Sequence, residues 1–364
     1  MDLEAQIAAH LADARGAWDA EVDDVLVCRQ VRHETHDVKT FVLEARRPQL
    51  FRYRPGQFLT FDFEIDGERI TRCYTLSSTP TRPHLVSITT KRVPGRPVSN
   101  WLHDRLKPGM ELRATGPMGE FTSLQHPAER YLFLSGGSGI TPLMSMARAY
   151  HDLALPRDIV FVHFARTPAD IIFRAELELI ARNLPSFRFV PVCEAEAPGE
   201  RWTGFSGRVS PPLLRLIAPD FLEREVMVCG PAPFMAAVRG ILAEAGFGMA
   251  RHHEESFDFA TLTGGAAEEE AAPLPAARTF KVEFRKSGRT VECGADSFVL
   301  AAAKAAGMRL PSSCTKGLCG TCKSRLLSGE VQMKHQGGIR QREIDQGMVL
   351  LCCSKPLTDL AVDR

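Results

Sequence analysis

Three cysteines crowd the nine-residue window "CTKGLCGTC", at Cys314, Cys319 and Cys322. Thiolates at C-x4-C-x2-C spacing need a fourth ligand farther along, and Cys352, after 29 intervening residues in "GMVLLCCSKP", supplies it. That is the spacing of a [2Fe–2S] cluster, in which small residues such as Gly317 and Gly320 let the loop wrap closely and backbone N–H groups tune the potential. Structural zinc is the competing occupant, although zinc usually takes two C-x2-C pairs. A second kind of chemistry is written in "YLFLSGGSGITPLMSMARA", an apolar strand running into Gly136, Gly137, Ser138 and Gly139. Thr141 as cap and Pro142 at the first helical position predict a helix start there, with glycines that let backbone N–H groups approach a pyrophosphate. The generic G-x-G-x-x-G fingerprint is missing. A later strand, turn and helix, "VMVCGPAPFM", places Cys229, Gly230 and Pro231 at a comparable turn.

These groups need scaffolds, and 364 residues with 44% apolar and 24% charged content suffice for two or three cores. Residues 24–124 read as short alternating strands between Pro and Gly turns ("DVLVCRQV", "VKTFVLEA", "QFLTFDFEI", "RITRCYTLSS", "HLVSITTKRV"), which predicts an antiparallel Greek-key barrel. Residues 125–259 alternate buried strands with helices, which predicts a parallel-sheet α/β domain. Residues 260–277, "ATLTGGAAEEEAAPLPAA", form a linker too poor in large apolar groups to make a core, and 278–364 form a separate module. Residues 1–23 are an acidic, amphipathic extension. No apolar run approaches a bilayer span and no export signal stands at the start, so the reading is cytoplasmic, with no membrane. A net charge of +1 gives no argument for nucleic acid, although 278–364 carry 15 Lys and Arg against 8 Asp and Glu. Cys28, Cys73, Cys193 and Cys293 read as buried structural thiols.

The tail 278–364, with its opening hairpin, its helix "SFVLAAAKAAG" and its cluster loop, resembles plant-type ferredoxins of β-grasp fold. In that family the last ligand follows a G-x-V-L-x-C stretch, which Gly347, Val349, Leu350 and Cys352 match, leaving Cys353 a bystander. "ITRCYTLSST" resembles the R-x-Y-[ST] signature of ferredoxin–NADP reductase-type flavin domains. The resemblance implies that Arg72 pairs with flavin phosphate, Tyr74 stacks on the isoalloxazine, Thr75 bonds near its redox edge, and Ser77 lies in the same turn. Each role suits the residue type, a fixed cation, a flat ring and small donors. "TKRVPGRPVSNWLHDRL" resembles the family's second phosphate segment, with Val98, Ser99 and Asn100 at a helix N-terminus; Ser99 as a plain helix cap is the simpler reading. The form is that of the FAD-binding branch, with FMN as the alternative. Gly136, Gly137, Gly139 and Thr141 match the family's G-G-x-G-I-T-P loop for nicotinamide dinucleotide. The same resemblance puts Cys229, with Gly230 and Pro231, beside the nicotinamide ring, and Glu255 and Phe257 of "RHHEESFDF" near the flavin. A solvated strand end is the alternative for Glu254 and Glu255.

These modules imply an enzyme that takes hydride from NADH or NADPH on FAD and exports single electrons through [2Fe–2S], with Thr75, Cys229 and Glu255 as its catalytic candidates. Arg166, following "DIVFVHFA" with no acidic residue at the strand end, is a candidate partner of a 2′-phosphate, whereas the resemblance favours NADH. The sequence is similar to reductase components of Rieske-type oxygenases that demethylate quaternary amines such as glycine betaine or carnitine, and to hybrid-cluster-protein reductases. The expected partner is such an oxygenase or a hybrid-cluster protein. A redox-binding or sensing protein without turnover is the reading from another class. Lys316, Lys323, Arg325, Lys334, Arg340 and Arg342 form a candidate basic docking face around the cluster.

Overall fold

The computed structural model describes residues 16–20, 22–257, 278–308, 310, 317, 320, 322–335, 338–339 and 341–364. The linker 260–277, together with Cys314, Lys316, Cys319 and Arg340, lies outside the described residues. The described chain divides into two compact units, one of 16–19, 23–59 and 74–257, the other of 20, 22, 60–73 and the residues from 278 onward.

Strands β1 (Val25–Thr35), β2 (Val38–Ala45), β3 (Phe58–Ile65), β4 (Glu68–Thr75), β5 (Val86–Lys91) and β6 (Glu111–Met118) form one sheet in the order β4-β3-β6-β1-β2-β5. The pairings β1–β2, β1–β6 and β2–β5 are antiparallel. The non-sequential order is the Greek key, and the antiparallel bridge between Leu76 and Ile88 joins the two outer strands. Helix α1 (Pro97–Arg105) follows β5.

The next sheet is wholly parallel, in the order β10-β9-β8-β7-β11-β12, from β7 (Arg130–Gly136), β8 (Asp158–Ala165), β9 (Phe187–Cys193), β10 (Phe205–Ser206), β11 (Glu225–Gly230) and β12 (His252–Ser256). In β7 every residue after Arg130 is buried, as expected of a strand covered on both faces. Helices α2 (Ile140–Asp152) and α3 (Arg174–Asn183) share one core with Phe133, Phe161 and Phe187; α4 (Pro211–Ile217) and α5 (Ala232–Glu244) share the other with Leu132 and Val228.

Helix α2 is buried all round its first eleven residues, Ile140 to Tyr150, because one side meets the parallel sheet and another meets the barrel. On the barrel side the Ser145 hydroxyl donates to Ser78 O (2.5 Å), and Arg148 donates to Ser77 O. The Arg148 guanidinium also grips Glu176 of α3 with two parallel bonds of 2.7 and 2.6 Å. Burial raises the Glu176 carboxyl, but the Arg148 bonds outweigh this and hold it below the usual carboxylate range.

The second unit carries a mixed sheet, β14-β13-β19-β15-β17, with β13 (Thr279–Phe284), β14 (Arg289–Gly294), β15 (Lys323–Ser328), β17 (Met348–Leu350) and β19 (Leu360–Val362). Only β13–β19 is parallel among its pairings, and helix α6 (Val299–Ala305) packs on the sheet through Val299, Leu300 and Ala303. This is the β-grasp arrangement. A side hairpin pairs β16 (Val331–Met333) with β18 (Ser354–Pro356), and a short helix α7 (Gln341–Asp345) precedes β17.

Four local expectations are corrected. Helix α2 begins at Ile140 with Gly139 as its cap, because the 3-10 turn Gly137–Gly139 runs directly into it, so Thr141 and Pro142 sit inside the first turn. Helix α1 is capped by Arg96, not Ser99. Cys28, Cys193 and Cys293 are buried, but Cys73 is only half-buried. Lys323 is no docking charge: its ammonium donates to Glu343 at 2.8 Å, and its side chain is only 10% exposed. No helix among the described residues is long and apolar enough to cross a membrane.

Replacing Arg148 by Met leaves Glu176 unpaired and is expected to cost about 3 kcal/mol. A melting temperature of the flavin-loaded protein several degrees below wild type checks it.

Candidate functional site

The C-terminal ends of the parallel strands meet the end of β4. Register puts Cys229 of β11 opposite Ser135 of β7 on one side and Glu255 of β12 on the other. From the barrel, the Thr75 hydroxyl donates to the Glu255 carboxylate at 3.4 Å. All three catalytic candidates are therefore brought to one place.

Glu255 keeps a partly exposed surface, yet protein fills most of its surroundings, and no cation among the described residues pairs with it. Desolvation pushes its carboxyl up to about 8, against a smaller lowering by the Thr75 hydroxyl. It therefore holds a proton at neutral pH. The Cys229 thiol is completely buried, and burial, reinforced by Glu255, pushes it well above the ordinary thiol range. It stays a neutral thiol and a packing group rather than a nucleophile.

Arg72 and Tyr74 are two apart on β4, so both project from one face, and both are half-buried. Ser77 is spent inside the barrel: its hydroxyl bonds Thr89 Oγ1 (2.8 Å) and Ser87 O (3.2 Å) with no exposure. At the phosphate segment, the Ser99 hydroxyl accepts from Val93 N (3.2 Å) and donates to Arg96 O (3.2 Å), while the Asn100 amide donates to Arg96 O (2.9 Å). Val98 is buried beside them. These side chains brace the 93–96 turn; Pro97 has no N–H and the Asn100 N–H donates to Arg96 O (3.2 Å), so the groups α1 offers an anion are the Val98 and Ser99 N–H.

The glycine loop fits a dinucleotide by absence of side chains. A Cβ on Gly139 would stand 2.3 Å from Cys229 O and 2.5 Å from Gly230 N, so only glycine lets the two strand-end turns touch. Gly136 and Gly137 end β7 beside it, and the Thr141 hydroxyl donates to Ser138 O (3.3 Å), closing the loop onto α2. Pro231 caps α5, and Phe257 follows β12 half-buried. Arg166 is held away from a free-phosphate role: one nitrogen donates to both Asp37 and Asp170, at 3.0 Å each.

In the second unit, Cys322 and Cys352 are both buried, and the Cys352 N–H donates to Cys322 Sγ at 3.4 Å. Two cysteines far apart in sequence thus meet where a thiolate accepts a backbone N–H, as an iron–sulfur ligand does. Gly317, at φ +73°, leaves no room for a side chain; a Cβ there would stand 2.8 Å from Cys353 Sγ. The Cys353 thiol is turned to Leu350 O, 3.6 Å away.

Sequence reasoning missed His163 of β8, whose Nδ1 bonds the Ser135 hydroxyl at 2.8 Å while its buried Nε2 has no partner among the described residues. Desolvation pushes it down to about 3, so it is neutral. A histidine inside the apolar run "FVHFA" is the signal that marked it.

Three family models match the chain in order: an oxidoreductase FAD-binding domain at 26–123, an oxidoreductase NAD-binding domain at 133–240 and a 2Fe-2S iron-sulfur cluster binding domain at 282–357. The chain is 47% identical over 345 residues to the glycine betaine monooxygenase reductase subunit of Pseudomonas aeruginosa, covering 92% of this chain and 94% of that one. It is 42% identical over 341 residues to the stachydrine N-demethylase reductase subunit of Rhizobium meliloti, covering 93% and 96%. Among solved structures, an intact type IV self-sufficient cytochrome P450 monooxygenase matches at TM-score 0.58 and 25% identity, over 94% of this chain and 41% of that one.

Because the Glu255 value is raised in the fold, the stability it contributes is complete below the unfolded carboxyl value of about 4.3 and is lost as pH rises through about 8. Glu255→Gln, which mimics the protonated form, is expected to melt above wild type at pH 9 and level with it at pH 5.

Proposed function

Because this chain belongs to the family of reductases that join an FAD-binding, an NAD-binding and a 2Fe-2S domain, we propose that it is the electron-supplying component of a Rieske-type oxygenase that demethylates a quaternary amine. When bound, FAD takes a hydride from the nicotinamide and releases its electrons one at a time through the cluster. The observation that carries the reading is the meeting of Thr75, Cys229 and Glu255, which joins the barrel to the dinucleotide sheet at one edge. Likeness along more than nine-tenths of two reductase subunits, one of a glycine betaine monooxygenase and one of a stachydrine N-demethylase, supports the acceptor class.

In this reading Arg72 offers its charge to the flavin phosphate and Tyr74 its ring to the isoalloxazine, while the α1 N-terminus at Val98, Ser99 and Asn100 receives the pyrophosphate. Thr75 and the protonated Glu255 hold a hydrogen-bonded, uncharged edge where the two rings meet. Gly136, Gly137, Gly139 and Thr141 shape the dinucleotide loop, Gly230 and Pro231 the facing turn, and Phe257 covers the flavin until nicotinamide displaces it. Cys314, Cys319, Cys322 and Cys352 hold the iron. NADH is the preferred donor, because Arg166 already satisfies Asp37 and Asp170, and a 2′-phosphate there would have to displace those carboxylates.

The test supplies the partner. With NADH, oxygen, glycine betaine and the oxygenase component of the Pseudomonas aeruginosa system, this protein is expected to support formaldehyde release, one per NADH consumed. With NADPH, kcat/KM should be at least about tenfold lower. NADH oxidation by cytochrome c without any formaldehyde on adding the oxygenase would overturn the acceptor class. Within the chain, Cys352→Ala is expected to lose the iron and cytochrome c reduction while keeping NADH-driven flavin bleaching, and Cys353→Ala to keep all three. Elemental iron analysis and rapid-mixing absorbance read both.

A further inference from the structure

At the opposite end of the parallel sheet from Cys229, three side chains from separate segments converge. His126 stands in the loop after the 3-10 turn Ser123–Gln125, Glu225 opens β11, and His253 is the second residue of β12. The convergence follows from strand geometry. His253 lies opposite Met227, and residues two apart share a face, so Glu225 and His253 project from the same side of neighbouring strands. His253 Nε2 and Glu225 Oε1 are 2.5 Å apart. The His126 ring stacks on the His253 ring, with centroids 3.5 Å apart and planes 15° from parallel. Its loop is pinned by the buried Tyr131, whose hydroxyl donates to His126 O (2.9 Å) and accepts from Ala128 N (2.8 Å).

The geometry points to a divalent transition-metal site of the zinc class formed by His126, Glu225 and His253, distinct from the iron–sulfur cysteines. One ligand atom from each residue lies within 4.8 Å of the others. Two imidazoles and a carboxylate are the donor set that zinc takes when a fourth position stays open to water. All three side chains are half-buried, so water reaches that fourth position. An ion pair between His253 and Glu225 accounts for two of the three groups. It leaves the His126 ring stacked on another imidazole with no hydrogen-bond partner among the described residues. A metal employs all three once the His126 ring turns off the face of His253, so that the in-plane lone pairs of both imidazoles converge on it, and it displaces the proton between His253 and Glu225 to solvent.

The site does no redox work. Glu225 lies four residues before Cys229 on β11, about 13 Å along the strand. Metal there adds a tie between the segment entering β7 and the starts of β11 and β12, beside the side-chain bonds that Arg130, Arg224 and Arg251 already make among them. Its effect is on the stability of the nucleotide-binding lobe.

The experiment uses the holoprotein with FAD and cluster in place. After incubation with zinc chloride and removal of the excess, elemental analysis is expected to find one zinc per chain, with iron unchanged, and a raised melting temperature. His126→Asn and His253→Asn are each expected to bind zinc at least tenfold more weakly and to lose the thermal shift while keeping flavin and iron. His126 is on a half-exposed loop, so its variant reports binding even where His253→Asn disturbs the strand. Wild type that retains no zinc, or variants that retain as much zinc as wild type, would overturn the site.

Discussion

The buried helix from Ile140 to Asp152 is the element on which the rest of the catalytic unit depends. It fills the space between the barrel and the parallel sheet, and its polar contacts are made across that gap: Ser145 to Ser78 and Arg148 to Ser77 on the barrel side, Arg148 to Glu176 on the other. A guanidinium in that position is costly unless its donors are matched, and here a carboxylate and a carbonyl match them. Because Ser77 and Ser78 lie two and three residues after Thr75, a helix anchored to them also fixes where the end of β4 stands. The Thr75–Glu255 contact is thus set from behind by packing that touches neither residue.

The same helix begins at the glycine loop. Gly139 caps it while pressing against the backbone of Cys229, so the glycine turn, the helix and the strand carrying Cys229 form one rigid piece. That rigidity gives physical sense to a neutral edge. With Cys229 and Glu255 protonated and His163 kept neutral, these three groups bring no charge to the strand ends. Nearby, Arg166 and Lys91 offset the carboxylates of Asp37 and Asp170.

Local pattern made the modules legible. Cysteine spacing, glycine turns and the change from alternating to continuous apolar strands are encoded within short windows, and the barrel, the parallel sheet and the β-grasp module follow from them. What stayed hidden depends on partners distant in the chain. Nothing beside Arg166 in sequence reveals that Asp37, 129 residues away, occupies it. Resemblance alone places Glu255 near the flavin; the burial that keeps it protonated comes from Thr75 and the neighbouring strand. Lys323 looks like a docking charge in a basic module, but Glu343 folds back onto it. Even the start of the buried helix shifted, because a 3-10 turn of glycines took the place where a Thr cap and a following Pro would have opened it.

In the proposed function, electrons run along a linear path, nicotinamide to flavin to cluster, within one chain. Anaerobic rapid mixing with NADH tests it most directly. Flavin absorbance is expected to bleach first, at a rate that depends on NADH, and cluster absorbance to follow at a rate independent of both NADH and protein concentration. Cluster reduction that accelerates in proportion to protein concentration, or that precedes flavin reduction, would contradict it.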